Sequence, residues 1–134
     1  APIAEKNKVL DFSATVSPIG NGSYVFRDYW DMKTQGSAMA KVIKKEEFRS
    51  LGVIAINWAD YLDFKEGLIS GLPKDFPIFE EKFNLGDSDF RTQLLKIKSS
   101  NPDAILVYAF PGPEPTKIVQ QIYQMGLDSK RWRS

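Results

Sequence analysis

The sequence predicts an α/β fold: a parallel sheet flanked by helices, Rossmann-like in its alternation of strand and helix. Three observations predict it. Residues 51–56 and 104–110 are continuous apolar runs, the pattern of strands buried on both faces. Between them, Tyr61, Phe64, Leu68 and Leu72, and then Phe90, Leu94 and Ile97, recur at helical spacing. Strands that alternate with such helices form βαβ units, whose right-handed crossovers cover both faces of a parallel sheet.

Taken in order, residues 1–6 read as the tail of a helix, with no Met and no charged-then-apolar leader before them. Residues 9–12 read as a short strand. A loop follows to residue 23, where Ser17-Pro18 and Gly20-Asn21-Gly22 are turn chemistry. Residues 24–27 are a second β-type run. Asp31 is placed to cap a helix whose apolar face carries Met32, Met39 and Ile43, with Ala38 and Val42. Beyond the strand at 51–56 and the helix of Tyr61 and Phe64, residues 76–83 read as a strand despite Glu80 and Glu81. Asp87 or Ser88 is placed to cap the next helix. Asn101-Pro102-Asp103 ends it, because Pro lacks an N–H and restricts the residue before it. After the strand at 104–110, Pro115 suits the first turn of a helix bearing Ile118, Val119, Ile122 and Met125, with Gly126 at its C-terminal end. Residues 130–134 stop where another strand is due, so both ends read as cut from a longer protein.

Composition narrows the function. At 134 residues the chain is one domain or a piece of one. Its 18 Lys and Arg balance 17 Asp and Glu, which argues against a broad basic surface for nucleic acid. No apolar run approaches the roughly 20 residues of a membrane span. Cys and His are both absent, which removes disulfides, thiolate and Ser-His-Asp chemistry, and the common zinc ligands. Gly20-Asn21-Gly22-Ser23 completes neither a dinucleotide fingerprint nor a phosphate loop. No pair of carboxylates is spaced for acid–base work. Any enzyme here must therefore work with carboxylates, Lys, Tyr or hydroxyls.

Ligands of open α/β sheets bind beyond the carboxyl ends of the strands. That rule selects residues 13–15, 57–61, 85–87 and 110–113. Their hydroxyls, amides and aromatic rings suit a small polar ligand with an apolar part. Each also has a plainer role. Ser13 and Thr15 can cap a turn, Trp58 and Tyr61 can simply cover the sheet, and Pro111-Gly112-Pro113 is turn chemistry. The charge run from Lys41 to Glu47 reads as a solvated helix face.

An ordered set of motifs resembles the type I periplasmic binding proteins of ABC transporters, the branched-chain amino-acid (Leu/Ile/Val) receptor group in particular. It comprises Phe12-Ser13-Ala14-Thr15, Tyr24-Val25-Phe26-Arg27, Gln35-Gly36, Ser88-Asp89-Phe90 with Leu94 and Ile97-Lys98, Pro102-Asp103-Ala104-Ile105, and Gln124-Met125-Gly126-Leu127. The resemblance implies two lobes closing on an amino acid. Residues 1–30 would then be a remnant of the first lobe and the crossover, and 31–134 most of a truncated second lobe. It implies that Ser13, Ala14 and Thr15 hold the ligand carboxylate and that Tyr61 faces the cleft, where Trp58 and Phe110 are expected to add an apolar wall. The acidic residue that holds the ligand ammonium in the family would lie beyond Ser134. Two departures bear on the ligand: the family's Tyr-Gly is Tyr61-Leu62 here, and its Gly-Tyr is replaced by Phe110-Pro111-Gly112.

The function this resemblance implies is solute capture for an ABC permease in the membrane, without chemistry on the ligand and with no catalytic residue, no metal and no cofactor, in the periplasm or outside the cell, a lipid-anchored form included. The same lobes occur in sensory receptors, which stays open as an alternative. A cytosolic flavodoxin-like or phosphoacceptor domain is disfavoured by the missing acidic cluster and phosphate loop. Strands separated from their neighbours also predict strand exchange between copies, giving dimers or larger assemblies.

Overall fold

The computed structural model describes residues 2–13, 23–27 and 31–127. Helix α1 (Pro2–Asn7) leads to strand β1 (Asp11–Ser13), which pairs in parallel with β2 (Val25–Arg27). β1 starts later than the apolar run suggests, because the end of α1 uses the intervening residues. Lys8 takes a positive φ of 55°, and the Val9 N–H bonds back to the Ala4 carbonyl, a left-handed helix ending. The Glu5 carboxylate ties this unit together by accepting the Ser23 and Tyr24 backbone N–H groups at 3.2 and 2.8 Å.

The rest of the described chain alternates as expected: α2 (Met32–Lys45), β3 (Leu51–Ile56), α3 (Ala59–Ser70), β4 (Ile78–Phe83), α4 (Arg91–Ser99), β5 (Ala104–Tyr108) and α5 (Pro113–Gln124). Strand β3 is central and parallel to both neighbours, with Ala55 opposite Lys82 on β4 and Tyr108 on β5. Its side chains alternate between two cores. Leu51, Val53 and Ala55 pack with Met32, Ala40 and Ile43 of α2 and Tyr61, Phe64 and Leu68 of α3. Ile54 and Ile56 pack with Phe83, Phe90, Leu94, Ile97 and Ile118, from β4 and the α4 and α5 side. The α/β class with a parallel sheet flanked by helices is the one the sequence predicts.

Several details differ from the sequence reading. Asp31 does cap α2, its Oδ1 accepting the Thr34 N–H at 2.7 Å. The buried stripe of α2, however, is Met32, Gly36, Ala40 and Ile43, while Ala38 and Val42 are exposed. Small residues face α3 because the two backbones nearly touch: a Cβ on Gly36 would meet the Phe64 carbonyl oxygen, and one on Gly67 the Lys33 carbonyl oxygen. Neither Asp87 nor Ser88 caps α4. Asp87 instead closes the turn after β4, accepting the Asn84 N–H at 2.8 Å. The start of α4 is held by Gln121 of α5, whose Oε1 accepts the Phe90 N–H at 2.8 Å and whose Nε2 donates to the Ser88 carbonyl at 3.0 Å. On α5, Glu114, Ile118 and Gln121 are buried, and Val119 points outward.

The two edges of the sheet are unlike. β4 carries charge on both faces: Glu80 pairs with Lys65 at 2.8 Å and Glu81 with Lys96 at 3.3 Å. β5 carries Ile105, Leu106 and Val107, yet is half-buried throughout rather than enclosed. Its outer side opens on an apolar groove with Val119, Ile122 and Leu127.

Candidate functional site

The chain leaves β3 for α3 on one face of the sheet and leaves β5 for α5 on the other. Adjacent strands whose connections depart in opposite directions open a crevice at their carboxyl ends, where ligands of such sheets bind. Trp58 follows β3 and Phe110 follows β5, so the topology places one aromatic on each side of this crevice. Their ring centroids are 4.6 Å apart and the planes tilt by 51°. Trp58 is 47% exposed, leaving an indole surface open for stacking.

Polar groups line the strand ends beside this pair. The Asn57 N–H donates to the Phe83 carbonyl at 2.8 Å, and Asn57 Nδ2 lies 3.4 Å from Asn84 Oδ1. Glu114, at the second position of α5, is only 7% exposed. Its Oε1 accepts the Gly86 N–H at 3.1 Å and so joins the loop after β4 to the loop after β5. Its residue type does not single it out in the sequence. An acidic residue in a first helical turn reads as ordinary dipole complementation. The available signal was its position between Pro113 and Pro115 at a strand end.

The other expected site residues are Tyr61, Ser13, Ala14 and Thr15. Tyr61 is 1% exposed. Its ring packs against Tyr108 and Phe64, with centroids 5.1 and 6.4 Å away, and its hydroxyl donates to Glu80 Oε2 at 2.7 Å. Burial, reinforced by the Glu80 hydrogen bond, pushes the Tyr61 hydroxyl well above its ordinary pKa. Tyr61 is therefore a core residue beneath the crevice, not an open wall of it. Tyr108, also buried in part, is pushed up to about 12 by desolvation and by the charges of Asp60 and Asp63. Ser13 ends β1, opposite Arg27 in register. Ala14 and Thr15 lie outside the described residues.

Among the described residues no three acidic side chains gather to hold a metal, and no helix is long and apolar enough to cross a membrane. What the crevice offers is an aromatic surface, amides and a buried carboxylate, which suit holding a small molecule.

The whole chain, residues 1–134, matches the model of a family described as periplasmic binding protein, and the chain belongs to that family. Among solved structures it is similar to the leucine binding protein LivK of Thermotoga maritima, at 30% identity and a TM-score of 0.79, over 93% of this chain and 37% of that one. It is also similar to an R. palustris ABC transporter solute binding protein in complex with 4-hydroxybenzoate, at 20% identity and a TM-score of 0.79, over 96% and 36% of the two chains. A branched chain amino acid ABC transporter periplasmic ligand-binding protein of Burkholderia xenovorans LB400 gives 20% identity and a TM-score of 0.76, over 96% and 36%. The chain thus spans little more than a third of the length of these proteins. No curated protein sequence matches it.

Proposed function

We propose that the chain supplies most of one lobe, residues 31–134, of a two-lobed receptor that captures an amino acid of branched-chain type, or a similar small carboxylate, for an ABC permease. Residues 1–30 belong to the other lobe and the crossover. The observation that carries this reading is the Trp58–Phe110 pair at the switch-point crevice, in a chain of the periplasmic binding protein family. Ser13, Ala14 and Thr15 hold the ligand carboxylate, and Trp58 and Phe110 wall its apolar side. Tyr61 supports that wall from the core. Hinge closure buries the ligand, which is released unchanged. The receptor works in the periplasm or outside the cell, free or lipid-anchored.

Calorimetry on the two-lobed receptor tests this. It should bind L-leucine or a related small carboxylate, and the isolated 134-residue chain, lacking a closing partner, should not. Thr15→Val removes one donor to a buried anion and should weaken binding by roughly 1.5–3 kcal/mol. A receptor that ignores all such carboxylates refutes the reading. An unaffected Thr15→Val variant removes Thr15 from the site.

A further inference from the structure

We propose that Glu114 and Gln121 are positioning residues, which from α5 hold residues 84–90 as a preformed rim of the ligand crevice. The inference rests on the receptor reading above and adds the residues that keep its site in shape.

Apolar burial does not hold this loop. No side chain between Phe83 and Phe90 is buried, and Leu85 is 63% exposed. Gly86 takes a φ of 90°, a conformation that side-chain-bearing residues rarely adopt. The turn itself closes through Asn84 and Asp87: the Asp87 carboxylate accepts the Asn84 N–H at 2.8 Å, and the Asp87 N–H donates to the Asn84 carbonyl at 3.1 Å. Surface loops with so little burial are ordinarily mobile.

Three further bonds come from one helix. Among the described residues, Glu114 is the only buried carboxylate and Gln121 the only buried side-chain amide. They stand about two turns apart on the face of α5 that carries Ile118. Both spend their bonds on the backbone of this loop. Glu114 Oε1 accepts the Gly86 N–H at 3.1 Å. Gln121 Oε1 accepts the Phe90 N–H at 2.8 Å, and its Nε2 donates to the Ser88 carbonyl at 3.0 Å. Apolar side chains at both positions would be buried without this desolvation, yet could make none of the three bonds.

The loop so held lies along the crevice. Asn84 Oδ1 is 3.4 Å from Nδ2 of Asn57, the residue before Trp58. Glu114 stands in the first turn of α5, just after the Phe110 loop. One helix therefore fixes the loop after β4 relative to Phe110, and the ligand meets a rim that needs no ordering. A released loop would have to be ordered on binding, and a site competent only part of the time binds more weakly by that fraction.

Calorimetry on the two-lobed receptor tests this, with L-leucine as the probe, or 4-hydroxybenzoate if leucine does not bind. Glu114→Leu and Gln121→Leu should each weaken binding by about fivefold or more, because backbone groups left unpaired favour the released loop. Glu114→Gln keeps an oxygen for the Gly86 N–H and should stay within about twofold of wild type. Leu51→Val loses core packing at the opposite end of β3 and should bind as wild type, which separates positioning from general loss of stability. In wild type without ligand, the Gly86 and Phe90 amides should be protected from hydrogen exchange. That measurement keeps the test decisive if a variant fails to fold. Unprotected amides, unchanged affinity in both leucine variants, a Glu114→Gln loss as large as that of Glu114→Leu, or an equal loss in Leu51→Val would each overturn the inference while leaving the receptor reading intact. Wild type that binds neither probe also overturns it, and the receptor reading goes with it only if other small carboxylates are ignored as well.

Discussion

Replacing Gly36 with Ala sets two opposing effects against each other. Ala is the better helix former by about 1 kcal/mol, so propensity alone favours the variant. The packing of α2 on α3 opposes it. A Cβ on Gly36 would stand 1.9 Å from the Phe64 carbonyl oxygen and 2.7 Å from the Leu68 nitrogen, and ordinary contact begins at 3.4 Å. The helices would have to part by about 1.5 Å at that point, since main-chain atoms cannot move aside by changing rotamer. Parting them loosens Met32, Ala40, Phe64 and Leu68, all of one core. Overpacking, backbone shifts included, typically costs about 1–3 kcal/mol. With main chain against main chain the cost lies at the top of that range, so Gly36→Ala is expected to lose up to about 2 kcal/mol net, and Gly67→Ala, which meets the Lys33 carbonyl as closely, a similar amount. Urea unfolding followed by far-UV circular dichroism reads this as a lower midpoint at unchanged slope. A Gly36→Ala protein more stable than wild type would show that propensity wins and that the helices separate at little cost.

Two further outcomes follow from the cores. Gln121→Leu strands the Phe90 N–H at the start of α4 and should cost about 1–3 kcal/mol in the same assay; an unchanged midpoint would mean the N–H finds another partner. Burial alone would raise the carboxyl pKa of Glu80, but Lys65 and the Tyr61 hydroxyl outweigh it and hold it below its ordinary 4.5. The stability this gives is present above about pH 4.5 and lost as pH falls through the depressed value. Glu80→Gln should therefore flatten the acid side of the stability profile, and an unaltered profile would remove Glu80 from the acid response.

Elements whose periodicity comes from apolar side chains were legible in the sequence. The β3 run and the Tyr61, Phe64, Leu68 stripe of α3 needed no knowledge of their neighbours, because burial on two faces or on one stripe marks the sequence directly. Contacts made by backbone or by buried polar groups were not. Gly36 and Gly67 carry no side-chain signal of the approach they permit. Asp87 has the right residue type and spacing for a helix cap, yet a neighbouring turn claims it, and Gln121 does the capping from another helix. Glu114 and Gln121 occupy the buried stripe of α5, and since polar residue types carry no burial signal the apolar Val119 reads as inward in their place. Tyr61 illustrates a different limit. Its place in the strand–helix connection was readable, but which way its hydroxyl turned depended on Glu80, 19 residues away.

The two sheet edges also differ in what an added strand would meet. On β4, Glu80 and Glu81 and their cations would lie against any strand added there, and a paired charge resists being desolvated. On β5 the flanks are mostly apolar and, among the described residues, no strand pairs with the outer backbone edge. A sheet with one adhesive edge has a valence of one. Filaments require two complementary edges on every unit; among the described residues the ionised side chains of β4 leave this sheet a single edge that would accept a strand at little cost.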